Sequence, residues 1–127
     1  MKVRIYYHHT DCGGVVYYGE YLKFLEEGRT EFFEQKGIFV KDLMRKGILF
    51  VVARQEIDYK LPAVYGDILE IETRVNEISR SKIEFEHNIK NQDGKLVSTA
   101  KTALVFVDKD VKPRKIPEDI REKLSKS

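Results

Sequence analysis

Residues 8–33, HHTDCGGVVYYGEYLKFLEEGRTEFF, change their hydrophobic period partway along, and that change decides the fold. Ahead of the break, residues 2–8 set Val3, Ile5 and Tyr7 against Lys2, Arg4, Tyr6 and His8, the period-two alternation of a strand with one buried face. Beyond the polar, glycine-bearing residues 10–14, Tyr18, Tyr21, Leu22, Leu25, Phe32 and Phe33 fall on i, i+3, i+4, i+7 rows. Tyr17 and Phe24 widen that stripe. The spacing predicts a strand, a break, and then a long helix from about Val16 to about Lys36 that other structure covers over much of its girth. Gly28 inside the helix costs about 1 kcal/mol relative to alanine. Close approach of a neighbouring backbone is the expected reason.

Working outward, residues 38–47 suit a short helix, and residues 48–63 start as a continuous apolar run, as a well-covered strand does, with Leu61-Pro62 closing it. Residues 67–78 and 82–90 each alternate, with Leu69, Ile71 and Val75 on one face of the first and Ile83, Phe85, His87 and Ile89 on one face of the second. Asn91-Gln92-Asp93-Gly94 is a turn signal before a strand at 95–108 whose faces are both small or apolar, as a central strand requires. Pro117, Glu118 and Asp119 open a short terminal helix. One strand, one long helix, about four antiparallel strands and a small helix bury their apolar faces together only if the sheet curls around the helix. The class is α+β.

The 127 residues make a single domain, 1–127, with enough chain to bury a core without staples. A net charge of +2 with basic and acidic residues interspersed argues against nucleic acid as a partner. The single cysteine, Cys12, forms no intramolecular disulfide, no apolar run reaches membrane-spanning length, and MKVRIYYHHT lacks a signal-peptide core. A cytoplasmic protein without a membrane span is expected.

The break at residues 8–14 carries the chemistry. A helix start presents unpaired N–H groups and the positive end of the helix dipole, and glycines just before it let a ligand approach the backbone. Asp11 stands a few residues ahead of those amides. A carbonyl polarised by the helix start is then open to attack by Asp11 or by a water that it orients, which suits acyl transfer to water. The competing reading is that Asp11 or Thr10 only caps the helix. A metal site is disfavoured because His8 and His9, adjacent on a strand, point to opposite faces, and His87 lies on a distant strand. Cys12 as nucleophile lacks a base that the sequence supplies.

Thr10, Asp11, Gly14, Val15, Val16, Tyr17, Tyr21, Leu22, Glu26 and Arg29 together resemble the signature of the YbgC-type acyl-CoA thioesterases of the hotdog superfamily, related to the 4-hydroxybenzoyl-CoA thioesterases. The resemblance covers nearly the whole chain. It implies a hotdog fold, a five-stranded antiparallel sheet wrapped around a long central helix, and hydrolysis of acyl-CoA thioesters. It puts Asp11 in the place of the catalytic aspartate, the backbone amides of Tyr17 and Tyr18 in the place of the oxyanion donors, and Gly14 and Val16 beside the substrate. Arg80, Ser81 and Lys82, in the turn between two strands, are implied to lie along the coenzyme, where basic groups would meet its phosphates. The basic tail at Lys109, Lys112, Arg114 and Lys115 is a lesser candidate for the same role. No metal or separate cofactor is implied, since coenzyme A is part of the substrate. The implied assembly is a homodimer or homotetramer joined sheet edge to sheet edge, and open edge strands give an independent motive for pairing.

Two positions depart from the family pattern. His9 stands where an acidic residue is common, which would favour an ionised Asp11, and Tyr18 stands where histidine is common. Acyl carrier protein is a second candidate partner. A dehydratase acting on acyl carrier protein and a non-catalytic acyl-CoA or acyl-carrier-protein binding module are the alternatives to hydrolysis.

Overall fold

The computed structural model describes residues 1–125. Five strands, β1 (Lys2–Arg4), β2 (Leu49–Tyr59), β3 (Ile68–Ile78), β4 (Lys82–Lys90) and β5 (Leu96–Val107), accompany helices α1 (Tyr18–Gln35), α2 (Val40–Arg45) and α3 (Glu118–Ser125). The strands form one antiparallel sheet in the order β1-β3-β4-β5-β2. Hairpins join β3 to β4 and β4 to β5, while β2 pairs back onto the far side of β5. This leaves β1 and β2 as the two edges.

The helix lies across the inner face of that sheet and buries Tyr21, Phe24, Leu25, Gly28, Arg29 and Phe33. Under its first half, Tyr21, Phe24 and Leu25 pack with Leu69, Ile71 and Ile89. Under its second half, Phe33 packs with Phe85, Leu104 and Phe106, and α3 closes that end with Ile120 and Leu124. Each such buried side chain contributes about 2 kcal/mol relative to an exposed one. A sheet curled around one long helix is the hotdog arrangement.

Four local expectations are corrected. The first strand ends at Arg4, well short of residue 8, because its partner runs out. Ile5 N–H donates to the Asp67 carbonyl at 2.8 Å and Gly66 N–H donates to the Ile5 carbonyl at 3.0 Å, after which the loop before β3 offers nothing to pair with. Residues 7–9 form a 3-10 turn instead. The long helix starts at Tyr18, two residues later than the spacing suggests, because Val15 and Val16 are held in bridges to Val64 and Thr10.

Gly28 is approached by side chains of β3, where a backbone neighbour was expected. A Cβ there would stand 3.0 Å from both Ile71 Cγ2 and Thr73 Oγ1. The apolar strand β2 lies at a sheet edge, with Val51 36% and Val52 50% exposed. A continuous apolar run reports that a strand needs cover on both faces but not which neighbour supplies it. Among the described residues, no helix is long and apolar enough to cross a membrane.

Candidate active site

Asp11 opens a tight hairpin. Its N–H donates to the Val15 carbonyl at 2.9 Å and its own carbonyl accepts from Gly14 N–H at 3.1 Å. Gly14 turns the chain with φ +80°, in the left-handed region that glycine enters without steric cost. The carboxylate folds back on the turn, Oδ1 accepting Gly13 N–H at 2.8 Å. A Cβ on Gly13 would stand 3.2 Å from that oxygen.

The same turn recurs at Asn91 and at Asp108, and in both the side-chain oxygen accepts two backbone N–H groups. Those amides hold the Asp108 carboxyl below the usual carboxylate range. Asp11 accepts one, so its carboxylate is the less engaged of the two acids and is exposed.

Backbone bonds clamp this hairpin to the start of α1. Val16 N–H donates to the Ala63 carbonyl at 2.8 Å, and Tyr17 N–H donates to the His9 carbonyl at 3.0 Å. Tyr17 is the N-cap residue, extended at φ −67°, ψ 142°, and no side chain caps the helix. The capping alternative for Asp11 and Thr10 therefore fails: Asp11 bonds Gly13, and Thr10 Oγ1 donates to the Tyr7 carbonyl at 2.7 Å. The Tyr17 amide is engaged. Among the described residues no acceptor meets the N–H of Tyr18 or of Gly19. A Cβ on Gly19 would stand 2.9 Å from the Tyr17 ring, so glycine there lets that ring fold over the first helical turn.

Beside the helix start lies a groove of about 260 Å³ lined by Val15, Val16, Tyr18, Tyr21, Tyr59 and residues 60–62. The Tyr18 and Tyr21 rings both sit 5.2 Å from that of Tyr59. Neither Tyr59 nor Gly19 was singled out from the sequence. Tyr59 comes from the end of β2, and only the pairing of β2 with β5 carries it to the helix start.

His8 and His9 do not point to opposite faces, because the 3-10 turn replaces the strand. Their rings lie 4.0 Å apart. His9 Nδ1 accepts Tyr6 N–H at 2.9 Å, so the neutral ring carries its proton on Nε2. Burial, and then the neighbouring His8, push the His9 pKa below its ordinary value. A neutral His9 supplies no positive charge to Asp11, against the sequence expectation. Both histidines border a separate cleft of about 610 Å³ between β1 and α1, where Glu27 and Glu31 are unsuited to phosphate.

Arg80, Ser81 and Lys82 are not brought near Asp11 within one chain. They lie past the far end of β3, whose ten steps span about 33 Å from the Asp67 turn that packs by the hairpin. There the Ser81 carbonyl accepts Phe106 N–H and the Arg80 carbonyl accepts Ile116 N–H, while Lys82 Nζ stands 3.4 Å from Glu84. The basic tail joins the same end through the bond from Arg114 N–H to the Phe106 carbonyl.

A curled sheet, a central helix with an uncapped start, and an acid hairpin clamped to that start define a hotdog protein of the thioesterase class. The chain belongs to the Thioesterase-like superfamily, whose sequence profile matches residues 5–124. It is 36% identical to the acyl-CoA thioester hydrolase YbgC of Escherichia coli O6:H1 over 119 residues, 93% of this chain and 89% of that one. It is 37% identical to the acyl-CoA thioesterase YbgC of Haemophilus influenzae over 123 residues, 95% of this chain and 90% of that one. The structure superposes on a DHNA-CoA thioesterase from Staphylococcus aureus with a TM-score of 0.94 at 27% identity, covering 98% of this chain and 87% of that one.

Proposed function

We propose that this protein hydrolyses acyl-CoA thioesters to the free acid and coenzyme A, with Asp11 as nucleophile or general base. The observation that carries the reading is an exposed carboxylate clamped beside an uncapped helix start whose Tyr18 N–H has no acceptor. The thioester carbonyl oxygen takes the Tyr18 N–H, and the helix dipole favours the negative charge that develops on that oxygen. The Tyr17 amide, occupied by His9, serves to hold the turn.

As a base, Asp11 removes a proton from water while the water oxygen bonds to the carbonyl carbon. The C–S bond then breaks and the departing thiolate takes up the proton. As a nucleophile, Asp11 forms an acyl anhydride with release of the thiolate, and water hydrolyses the anhydride in a second step. The acyl group would enter beside Gly14 and Val16 along the tyrosine-lined groove.

The reading extends to a pair of chains. Strand β2 is an open edge, and a second copy laid antiparallel along it carries its own far end toward this chain's Tyr59. The turn of Arg80, Ser81 and Lys82 would then reach the coenzyme phosphates from the other chain. Acyl carrier protein is the other thioester donor that the same site would accept.

Thiol release from a panel of short, long and aromatic acyl-CoA thioesters, with wild type and Asp11→Asn, tests the proposal. Asn91 already supports the same turn elsewhere, so asparagine at 11 keeps the hairpin and removes only the charge. Turnover falls at least 100-fold if the carboxylate acts. Equal activity of the two proteins would eliminate Asp11 as the acting group, and coenzyme A binding without turnover in either would favour a binding module.

A further inference from the structure

The turn between β3 and β4 is closed by a side chain from the far end of the sequence. In an ordinary two-residue hairpin the flanking residues exchange both of their N–H···O bonds. Here Ser79 N–H donates to the Lys82 carbonyl at 2.8 Å, but the return bond is made elsewhere. The Ser79 carbonyl accepts Arg121 Nη2 at 2.7 Å, and the same nitrogen donates to the Arg80 carbonyl at 3.2 Å. Among the described residues the Ser79 carbonyl has no other donor. The helix that presents Arg121 is itself anchored: Ile120 and Leu124 of α3 are buried in the core with Phe33 and Ile83, and Lys123 Nζ donates to the Gly37 carbonyl at 3.1 Å.

The other carbonyls of the turn are occupied too. The Arg80 carbonyl also accepts Ile116 N–H at 2.9 Å, and the Ser81 carbonyl accepts Phe106 N–H at 2.8 Å. All the carbonyls of residues 79–82 therefore have donors within the chain, whereas the N–H groups of Arg80 and Ser81 meet no acceptor among the described residues. Successive free N–H groups in a turn suit an anion. Bonded to a permanent cation, the Ser79 and Arg80 carbonyls present less negative charge to an approaching phosphate. Arg80 is exposed and adds a cation of its own.

We propose that Arg121 is a positioning residue for the coenzyme: by closing the 79–82 turn from α3, it keeps the Arg80 and Ser81 N–H groups arranged for a phosphate. Arg121 acts through the turn and not on the reacting thioester. The inference rests on the reading above that this turn meets the coenzyme phosphates.

The test compares wild type, Arg121→Met, Arg121→Lys and Lys123→Met by calorimetric titration with coenzyme A and by hydrolysis of matched acyl-CoA and acyl-pantetheine thioesters. Arg121→Met is expected to weaken coenzyme A binding and raise the acyl-CoA KM about tenfold. Its kcat and its KM for acyl-pantetheine, which carries no phosphate, are expected to stay at the wild-type values. Arg121→Lys keeps one donor and is expected to lose about threefold, again for acyl-CoA only. Lys123→Met removes a different side-chain bond of α3 and is expected to bind coenzyme A as wild type does. An equal loss on both thioesters, or a matching loss in Lys123→Met, would make Arg121 a structural brace only and overturn the proposal. Wild-type coenzyme A affinity in Arg121→Met overturns it as well, and Arg121→Lys decides in the same way if the methionine variant does not fold. A wild type with equal KM for the two thioesters overturns the phosphate reading of the turn, and the proposal with it. Coenzyme A binding without hydrolysis overturns the hydrolytic reading alone, since the calorimetric comparison still judges Arg121.

Discussion

His87 is buried under α1 at 1% exposure, its Nδ1 3.1 Å from Thr73 Oγ1 and its Nε2 without a hydrogen-bond partner among the described residues. Burial first, then the Arg29 and Arg74 charges, push its pKa from 6.5 down to about 3. The unfolded imidazole takes up a proton near pH 6.5, whereas the folded one resists until about 3. Between those values the unfolded state binds more protons, so the stabilising effect of a neutral His87 is complete above pH 6.5 and declines as the pH falls. The slope is about 1.4 kcal/mol per pH unit. Urea unfolding at pH 7 and pH 5 should find the stability gap between wild type and His87→Gln narrowing by about 2 kcal/mol at the lower pH. A gap that ignores pH would mean the imidazole is not held neutral. The alternation of β4 already placed His87 on the inner face; what lies opposite it belongs to the fold.

Among the elements, the turns are most informative, because one turn type serves three purposes. At Asn91 it joins β4 to β5, at Asp108 it leaves β5, and at Asp11 it presents a carboxylate at the helix start. The residue after the turn is glycine at 14 and 94 but valine at 111, where φ is +60°. A β-branched side chain in the left-handed region is strained, by about 1 to 2 kcal/mol relative to glycine. Val111 is 60% exposed, so little packing is lost on removing it. Val111→Gly should raise the unfolding free energy by about 1 kcal/mol in a denaturant titration, the greater freedom of unfolded glycine offsetting the rest. A destabilised variant would mean that the valine side chain makes a contact that outweighs the strain. The signal for a turn at Asn91-Gly94 was plain in the sequence; the same turn at Asp11 was read as a ligand approach, because its glycines also precede a helix.

For the molecule as a whole, the sheet ends as two edges, and only β1 is short. An eleven-residue edge strand with Val51 and Val52 exposed favours pairing, and the Arg80–Lys82 turn lies past the far end of β3, a strand about 33 Å long, from the acid hairpin. If the basic turn serves the site of the other chain, activity per chain should fall on dilution through the dimer dissociation range and return on adding chains that carry Asp11→Asn. Such chains lack the acid but keep the turn, so rescue by them would assign the turn to the opposite site. Activity per chain that is constant from the micromolar to the low nanomolar range, with chains shown to be monomeric there, would count against a shared site.

The sequence by itself determined the main elements and their order, and it singled out Asp11 at the strand-to-helix break. Hydrophobic period is a local property of consecutive residues, and the change from period two to helical rows at residues 10–14 separates strand from helix without any tertiary information. Only the tertiary structure decided which amides are free, which strand is an edge and which charge is buried. Tyr17 and Tyr18 are neighbours of one type, yet the His9 carbonyl takes one N–H and leaves the other. Val52 and Leu104 are both apolar strand residues paired across β2 and β5, yet one is 50% exposed and the other 5%. Arg29 stands among the charged residues of α1, yet the sheet closes over it. Each of these outcomes depends on a partner distant along the chain, and burial and hydrogen bonding are properties of such pairs, which no local pattern encodes.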